Sequence, residues 1–167
     1  MLDSMSELEA EVLSLADALR ARGWKLAAAE SCTGGLIAAA CTAVSGSSDW
    51  FERGFVTYSN EAKTELLGVP AATIATHGAV SREVVLAMAE GALARSRADL
   101  AVAVTGIAGP TGGSPDKPVG TVWLAISTKG LPTEARRLQL HGDRAAVRRQ
   151  TVEQALQRLL DAAARPS

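Results

Sequence analysis

Residues 26–35, Leu-Ala-Ala-Ala-Glu-Ser-Cys-Thr-Gly-Gly, constrain this chain more than any other stretch. The apolar run from Leu26 to Ala29 reads as a buried strand. It ends at Glu30-Ser31, turns through Cys32–Gly35 and enters an Ala-rich helix. A strand that hands over to a helix in this way belongs in an α/β sheet, where ligands bind outside the carboxyl ends of the strands. N–H groups at the start of the helix are suited to hold an anion or a developing oxyanion there. Gly34 and Gly35 carry no Cβ, so the backbone can approach a ligand closely.

The same geometry is expected twice more. Gly54–Tyr58 alternates like a strand, and Ser59-Asn60 then opens a helix that holds Lys63. Asp99–Thr105 is a third strand, ending in the glycine-rich run Gly106–Gly113. If these strands are parallel neighbours, the hydroxyls of Ser31, Tyr58 and Thr105 converge on one rim. The remaining elements come from periodicity and punctuation. A first helix covers about Glu7–Arg22 and stops at Gly23. The strand through Lys25–Glu30 leads to a helix over Gly35–Val44, and Asp49–Glu52 forms a helical turn. Asn60 caps the short helix that stops at Gly68, with Pro70 beyond it. Ser81 caps a helix over Arg82–Arg97. A long loop, Ala108–Gly120, precedes a strand at Thr121–Thr128. Glu134–Leu140 is an antiparallel edge strand, and Asp143 caps a final helix over Arg144–Ala164. The order predicts a single α/β domain over residues 1–167. It is an α/β/α sandwich with a mixed, mostly parallel sheet.

Composition narrows the function. A chain of 167 residues with 47% hydrophobic and 21% charged residues suits one soluble core. A net charge of −1 offers no global field for nucleic acid or membrane. Arg136, Arg137, Arg144, Arg148, Arg149 and Arg158 read as a solvated basic face. Met1–Glu7 lacks the pattern of a signal peptide, and no run of apolar residues is long enough to span a bilayer. The two cysteines, Cys32 and Cys41, lack metal-type spacing and suit a reducing cytoplasm. Trp50, Phe51 and Phe55 cluster near a Ser/Gly-rich loop and suggest a surface covered in a homo-oligomer, a dimer.

Ser31 leads the candidates for a nucleophile, set against the plainer role of helix cap. Cys32 is its rival, as a thiolate at a helix start or as a packed small hydrophobe. His77 and His141 stand in turn-like contexts and give weak support to a Ser-His-Asp reading. Lys63 is the better base, set against the plainer role of a surface lysine: at the third position of its helix, and if it is also partly buried, its amine is pushed toward the neutral form. Tyr58 can donate to the same centre, or serve as a plain strand aromatic. Glu30 either fixes backbone amides or pairs with Lys63, which would oppose a base role. The run Gly106–Gly113 is neither a Walker A loop nor a dinucleotide fingerprint. No metal motif occurs, so no protein-built metal site and no cofactor are expected. Many N–H donors with Lys117 and Arg144 suit a phosphorylated small molecule. The residues by themselves point to an acyl-transfer hydrolase on such a substrate.

Six motifs then appear in order: Ala29-Glu-Ser-Cys-Thr-Gly-Gly35, Tyr58-Ser-Asn-Glu-Ala-Lys63, His77-Gly-Ala-Val-Ser81, Thr105-Gly-Ile-Ala-Gly-Pro110, Lys117-Pro-Val-Gly-Thr121 and Gly142-Asp-Arg144. Together they closely resemble the CinA C-terminal domain family, over about Glu7 to Leu160. The resemblance implies an amidohydrolase that acts on the linear carboxamide of nicotinamide mononucleotide. The products are nicotinate mononucleotide and ammonia, in pyridine-nucleotide salvage. It implies Ser31 as nucleophile and Lys63 as its lysine, with Tyr58, Thr105 and Arg144 as further site residues. Amides of Thr33, Gly34 and Gly35 would then hold the oxyanion. The loop containing Gly106, Gly109, Gly112 and Gly113, with Lys117 or Arg144, would hold the ribose phosphate. Two-domain relatives carry an additional N-terminal domain whose activity is not expected here. Two alternatives stand beside this one. One is a non-catalytic nucleotide-binding or regulatory module on the same fold, and the other is a metal-dependent nucleotide phosphohydrolase.

Overall fold

The structure is a computed structural model that describes residues 7–166. The signal-peptide reading concerns residues 1–7, nearly all outside that range. The elements are α1 (Glu9–Arg22), β1 (Leu26–Glu30), α2 (Leu36–Thr42), β2 (Phe51–Val56), α3 (Asn60–Leu67), α4 (Ala71–His77), α5 (Arg82–Ala94), β3 (Leu100–Gly106), β4 (Thr121–Thr128), β5 (Glu134–Gln139) and α6 (Arg144–Ala163). They form one five-stranded sheet in the order β2-β1-β3-β4-β5. β1 pairs in parallel with both β2 and β3. β4 is antiparallel to β3 and to β5, so it alone opposes the common strand direction. The fold is the expected mixed α/β sandwich.

Strand alternation builds both layers. Leu26 and Ala28 of β1, with Leu100, Val102 and Val104 of β3, face the core shared with α1, α2 and α6. Ala27, Ala29, Ala101 and Ala103 face the other way, toward α3, α4 and α5. This second face is nearly all alanine, which lets α5 lie close to the sheet. Leu15, Leu19, Leu156 and Leu159 fill the first core from α1 and α6, as the helical spacing requires. Among the described residues, no helix is long and apolar enough to cross a membrane.

Several expectations shift. The strand predicted at Gly54–Tyr58 lies earlier, at Phe51–Val56, because its parallel register sets Phe51 against Leu26 and Val56 against Glu30. The turn predicted at Asp49–Glu52 is a short 3-10 turn at Ser47–Asp49. Trp50 is fully buried in the first core, and Phe51 and Phe55 are half-buried. Trp50 therefore needs no partner chain to cover it. Ser59, not Asn60, caps α3, its hydroxyl accepting the Ala62 N–H at 3.0 Å. α4 is an element that the periodicity does not predict. Its sequence holds one buried apolar residue, Ile74, and so carries no periodic signal; packing against α3 and α5 holds it.

Gly91 shows how tightly the alanine layer is built. A Cβ there would be driven into the Leu67 backbone carbonyl at the end of α3. Arg95 donates to that carbonyl at 2.8 Å, so the group has little room to move. Gly91→Ala improves helix propensity by about 1 kcal/mol. Overpacking should nevertheless outweigh it by roughly 1–2 kcal/mol. The expected result is a lower midpoint in thermal melts, by about 2–4 °C per kcal/mol. An unchanged or raised midpoint would show that α3 and α5 separate easily.

Candidate active site

β1 lies between β2 and β3, so the chain reverses its direction of travel across the sheet at β1. The crevice at such a switch point, outside the strand ends, is where ligands sit in α/β sheets. The residue that emerges there is Ser31. Its N–H donates to the Val104 carbonyl of β3 at 3.2 Å, and the Glu30 carbonyl accepts the Thr57 N–H at 2.8 Å. The loop that begins at Ser31 is thereby tied to the chain on both sides.

Glu30 fixes the turn from β1 into α2. Its carboxylate is wholly buried. Oε1 accepts the Thr33 hydroxyl at 2.6 Å and the Ile37 N–H at 2.8 Å, and Oε2 accepts the Ala38 N–H at 3.0 Å. A negative group on the first-turn N–H groups of α2 is favourable both as hydrogen bonding and through the helix dipole. Gly35, the residue before α2, has φ 109° and no capping side chain. Glu30 therefore caps α2 from across the turn, which displaces the reading of Ser31 as the cap. It makes no ion pair with Lys63 among the described residues, which removes the expected conflict.

The Ser31 side chain is free for Lys63. Lys63 Nζ lies 3.0 Å from Ser31 Oγ and donates to the Thr57 carbonyl at 2.7 Å. Lys63 is 1% exposed and Ser31 8%. Burial lowers the lysine pKa from its ordinary 10.5, because the charged form loses water. Lys63 is the fourth residue of α3, one place later than expected. Cys32 is a poor rival: burial pushes its thiol up to about 11, against the pull of the Arg148 charge. His77 stands exposed, with Nδ1 3.5 Å from Glu83, and His141 is exposed as well. Neither forms a triad with Ser31.

The other expected residues fall at different depths. The Thr33 side chain is given to Glu30, leaving only its backbone for a ligand. The Gly34 N–H is given to the Ser31 carbonyl at 3.0 Å. Gly35 keeps its N–H without an acceptor among the described residues. The Thr105 hydroxyl is buried at the end of β3 and donates to the Ala79 carbonyl at 3.0 Å. Tyr58 is 63% exposed at the rim, and its hydroxyl accepts from Arg144 Nη2 at 3.1 Å rather than meeting Ser31 or Lys63. Arg144 Nη1 donates to the Gly109 carbonyl at 2.9 Å, which joins α6 to the glycine-rich loop. Lys117 Nζ donates to the His77 carbonyl at the end of α4 at 2.8 Å. In the loop itself, a Cβ at Gly106, Gly109 or Gly113 would strike Val122 or Val119, whereas Gly112 has room. Close packing thus accounts for three of those glycines. A depression beside the loop is lined by Ala108, Pro110, Val119 and Gly142–Ala145.

Sequence reasoning misses Arg148, which reads there as part of a solvated face. It lies one helical turn beyond Arg144, and that spacing is a usable signal. Among the described residues no group of three or more His, Cys, Asp or Glu side chains is placed to hold a metal ion.

Known proteins are similar to this chain in sequence and in fold. Residues 8–163 match the sequence model of the CinA C-terminal domain. A nicotinamide-nucleotide amidohydrolase PncC of Escherichia coli (strain K12) is 55% identical over 155 residues, 90% of this chain and 94% of that protein. A protein of the same name from Pseudomonas putida is 58% identical over 146 residues, 87% of this chain and 91% of its own length. The crystal structure of the competence damage-inducible protein A (ComA) from Klebsiella pneumoniae subsp. pneumoniae MGH 78578 superposes with a TM-score of 0.91. It is 43% identical and covers 95% of this chain and 98% of that one.

The role of Glu30 is open to a direct measurement. Glu30→Gln keeps the shape but sets an NH₂ group against one of the three donors it now accepts. An unmade buried hydrogen bond costs about 1–3 kcal/mol. The thermal midpoint should fall by roughly 3–10 °C for a domain of this size. A midpoint within a degree of the original would mean that the α2 cap is dispensable.

Proposed function

Since the chain belongs to the CinA C-terminal domain family, we propose that it hydrolyses the carboxamide of nicotinamide mononucleotide to nicotinate mononucleotide and ammonia. The observation that carries this is the buried contact of Lys63 Nζ with Ser31 Oγ at 3.0 Å. A neutral amine has one lone pair and two protons. One proton goes to the Thr57 carbonyl, and the lone pair takes the proton of Ser31. Ser31 Oγ then bonds to the amide carbon, and the carbonyl oxygen becomes an oxyanion held by the N–H groups of Thr33 and Gly35, which donate to no group among the described residues. Protonated Lys63 returns the proton to the amide nitrogen as the C–N bond breaks, and ammonia leaves. Water, deprotonated by Lys63, attacks the acyl ester; Ser31 departs with that proton and nicotinate is released. No metal enters this scheme. The buried Ser31–Lys63 contact also favours catalysis over a purely binding role.

Tyr58 and Arg144 stand at the rim, where they hold substrate rather than relay protons. Arg144 is the first residue of α6, so a phosphate beside it also meets the positive end of a long helix. On this reading the enzyme works in the cytoplasm as part of pyridine-nucleotide salvage. A homodimer belongs to the same proposal. It rests on half-buried Phe51 and Phe55 and exposed Val56 of β2, an edge strand of the sheet, and not on Trp50. Sedimentation as a monomer at micromolar concentration would remove it.

The test is an assay of ammonia and nicotinate mononucleotide with purified, metal-stripped protein. Ser31→Ala should abolish turnover and still bind substrate. Lys63→Arg should be nearly as inactive as Lys63→Ala, because a guanidinium stays protonated. Burial favours the neutral amine, so its fraction grows as pH rises through a midpoint below 10.5. The kcat/KM profile of the wild type should therefore climb with pH from the acid side. Turnover by Ser31→Ala with loss in Cys32→Ala would hand the reaction to the thiol, and rescue by Lys63→Arg would make the position a charge clamp.

The phosphate supplies a second test. Charge-assisted hydrogen bonds are each worth roughly 1.5–3 kcal/mol, so losing two costs on the order of 100-fold or more. Nicotinamide riboside should be poorer than the mononucleotide by that factor in kcat/KM. Arg144→Ala should narrow the gap by harming the phosphorylated substrate alone. Equal kcat/KM for the two substrates would recast the Gly106–Gly113 loop as a cover for the pyridine ring.

A further inference from the structure

Arg148 has no part in the acyl-transfer steps, yet it grips the nucleophile loop. Its Nε donates to the Cys32 carbonyl at 3.0 Å and its Nη2 to the Thr33 carbonyl at 3.2 Å. Two consecutive carbonyls are held by one rigid planar fork. The fit is close: a Cβ on Gly34 would lie 3.5 Å from Nη2. Across a trans peptide, the C=O and the following N–H point in opposite directions. Drawing the Cys32 carbonyl toward α6 turns the Thr33 N–H away from α6. α6 packs on one face of the sheet and α3, which carries Lys63, on the other. The Thr33 N–H is therefore directed away from the layer that holds Arg148 and toward the Lys63 side. It donates to no group among the described residues, whereas the neighbouring Gly34 N–H is already engaged by Ser31.

We propose that Arg148 is a positioning residue of the amidase, which aims the Thr33 N–H at the oxyanion formed when Ser31 adds to the carboxamide. The inference rests on Ser31 being the nucleophile. Docking of α6 does not require Arg148, because Val147, Thr151, Val152, Ala155, Leu156 and Leu159 already bury the helix.

The experiment compares wild type, Ser31→Ala, Arg148→Ala, Arg148→Lys and Arg149→Ala on nicotinamide mononucleotide, with thermal melts of each. Deleting one oxyanion donor costs roughly 100–1,000-fold in kcat, so loosening it should cost on the order of 10–100-fold. Arg148→Ala is expected to lose that much in kcat, with KM within about twofold, as for a group acting only in the transition state. The rising pH limb, which belongs to Lys63, should stay in place. Arg148→Lys should recover little, since one ammonium does not reproduce the two-pronged grip. Millimolar guanidinium should restore part of the kcat of Arg148→Ala. Arg149→Ala, on the exposed side of α6, should match wild type. A raised KM with unchanged kcat would make Arg148 a substrate contact and overturn the proposal. So would a loss of kcat that merely tracks the unfolded fraction in the melts, or wild-type kcat in Arg148→Ala while Ser31→Ala is dead. Full activity in Ser31→Ala, or an inactive wild type, would instead remove the parent reading and the role of Arg148 with it.

Discussion

One buried carboxylate holds the joint on which this molecule turns. Glu30 ends β1, and its side chain reaches forward to the first-turn N–H groups of α2 and to the Thr33 hydroxyl. A buried carboxylate is costly unless its oxygens are filled, and here three donors fill them. The direction of α2, the path of residues 31–35 and the outward turn of Ser31 all depend on that cap. Because Glu30 is the helix cap, Ser31 is spared that task and its hydroxyl is left for Lys63.

Around this joint the two faces of the sheet contribute different things. The alanine face brings α3 and α5 close, and α3 delivers Lys63 beneath the end of β1. The larger-residue face carries α6, which delivers Arg148 to the loop carbonyls and Arg144 to the rim. The loop between β3 and β4 closes the third side, pinned by Arg144 at Gly109 and by Lys117 at the end of α4. Lys63 thus meets Ser31 itself, while Arg148 meets the carbonyls of the two residues that follow it. The site is rigid because it is anchored on strands and helices rather than on loops alone.

Much of this is legible in residues 26–35, since a buried strand meeting a glycine turn and a helix has few alternatives. The Ser31–Lys63 contact is readable because both residues lie beyond strand ends that parallel pairing brings side by side. Other features are not. α4 lacks an amphipathic pattern and exists through packing on α3 and α5. The start of β2 is hidden because Phe51 and Glu52 carry no alternation of their own and gain their place from the register with β1. Arg148 is set apart from the other arginines of a basic helix only by standing one turn beyond Arg144. Only the fold reveals that one turn of that helix faces inward to the loop. Tyr58 reads as a partner of the reacting pair from its position in sequence, but the strand ends two residues before it and the ring swings out to Arg144.

The separation of Glu30 from Lys63 bears on the proposed use of a lysine where a histidine is more usual. Two buried groups of opposite charge within reach of each other would form an ion pair, and the pair would hold the lysine protonated. Glu30 instead commits its oxygens to hydroxyl and backbone donors, so its charge is satisfied without a cation. Among the described residues Lys63 is hydrogen-bonded to a carbonyl and a hydroxyl, and neither carries a negative charge to hold an ammonium. Burial then acts on it unopposed, apart from a small influence of Cys32. That thiol stays protonated because it is buried too, so it supplies no negative charge to undo the effect. Burial therefore favours the neutral amine beside the serine hydroxyl, and a carboxylate committed to backbone and hydroxyl donors leaves that effect in force.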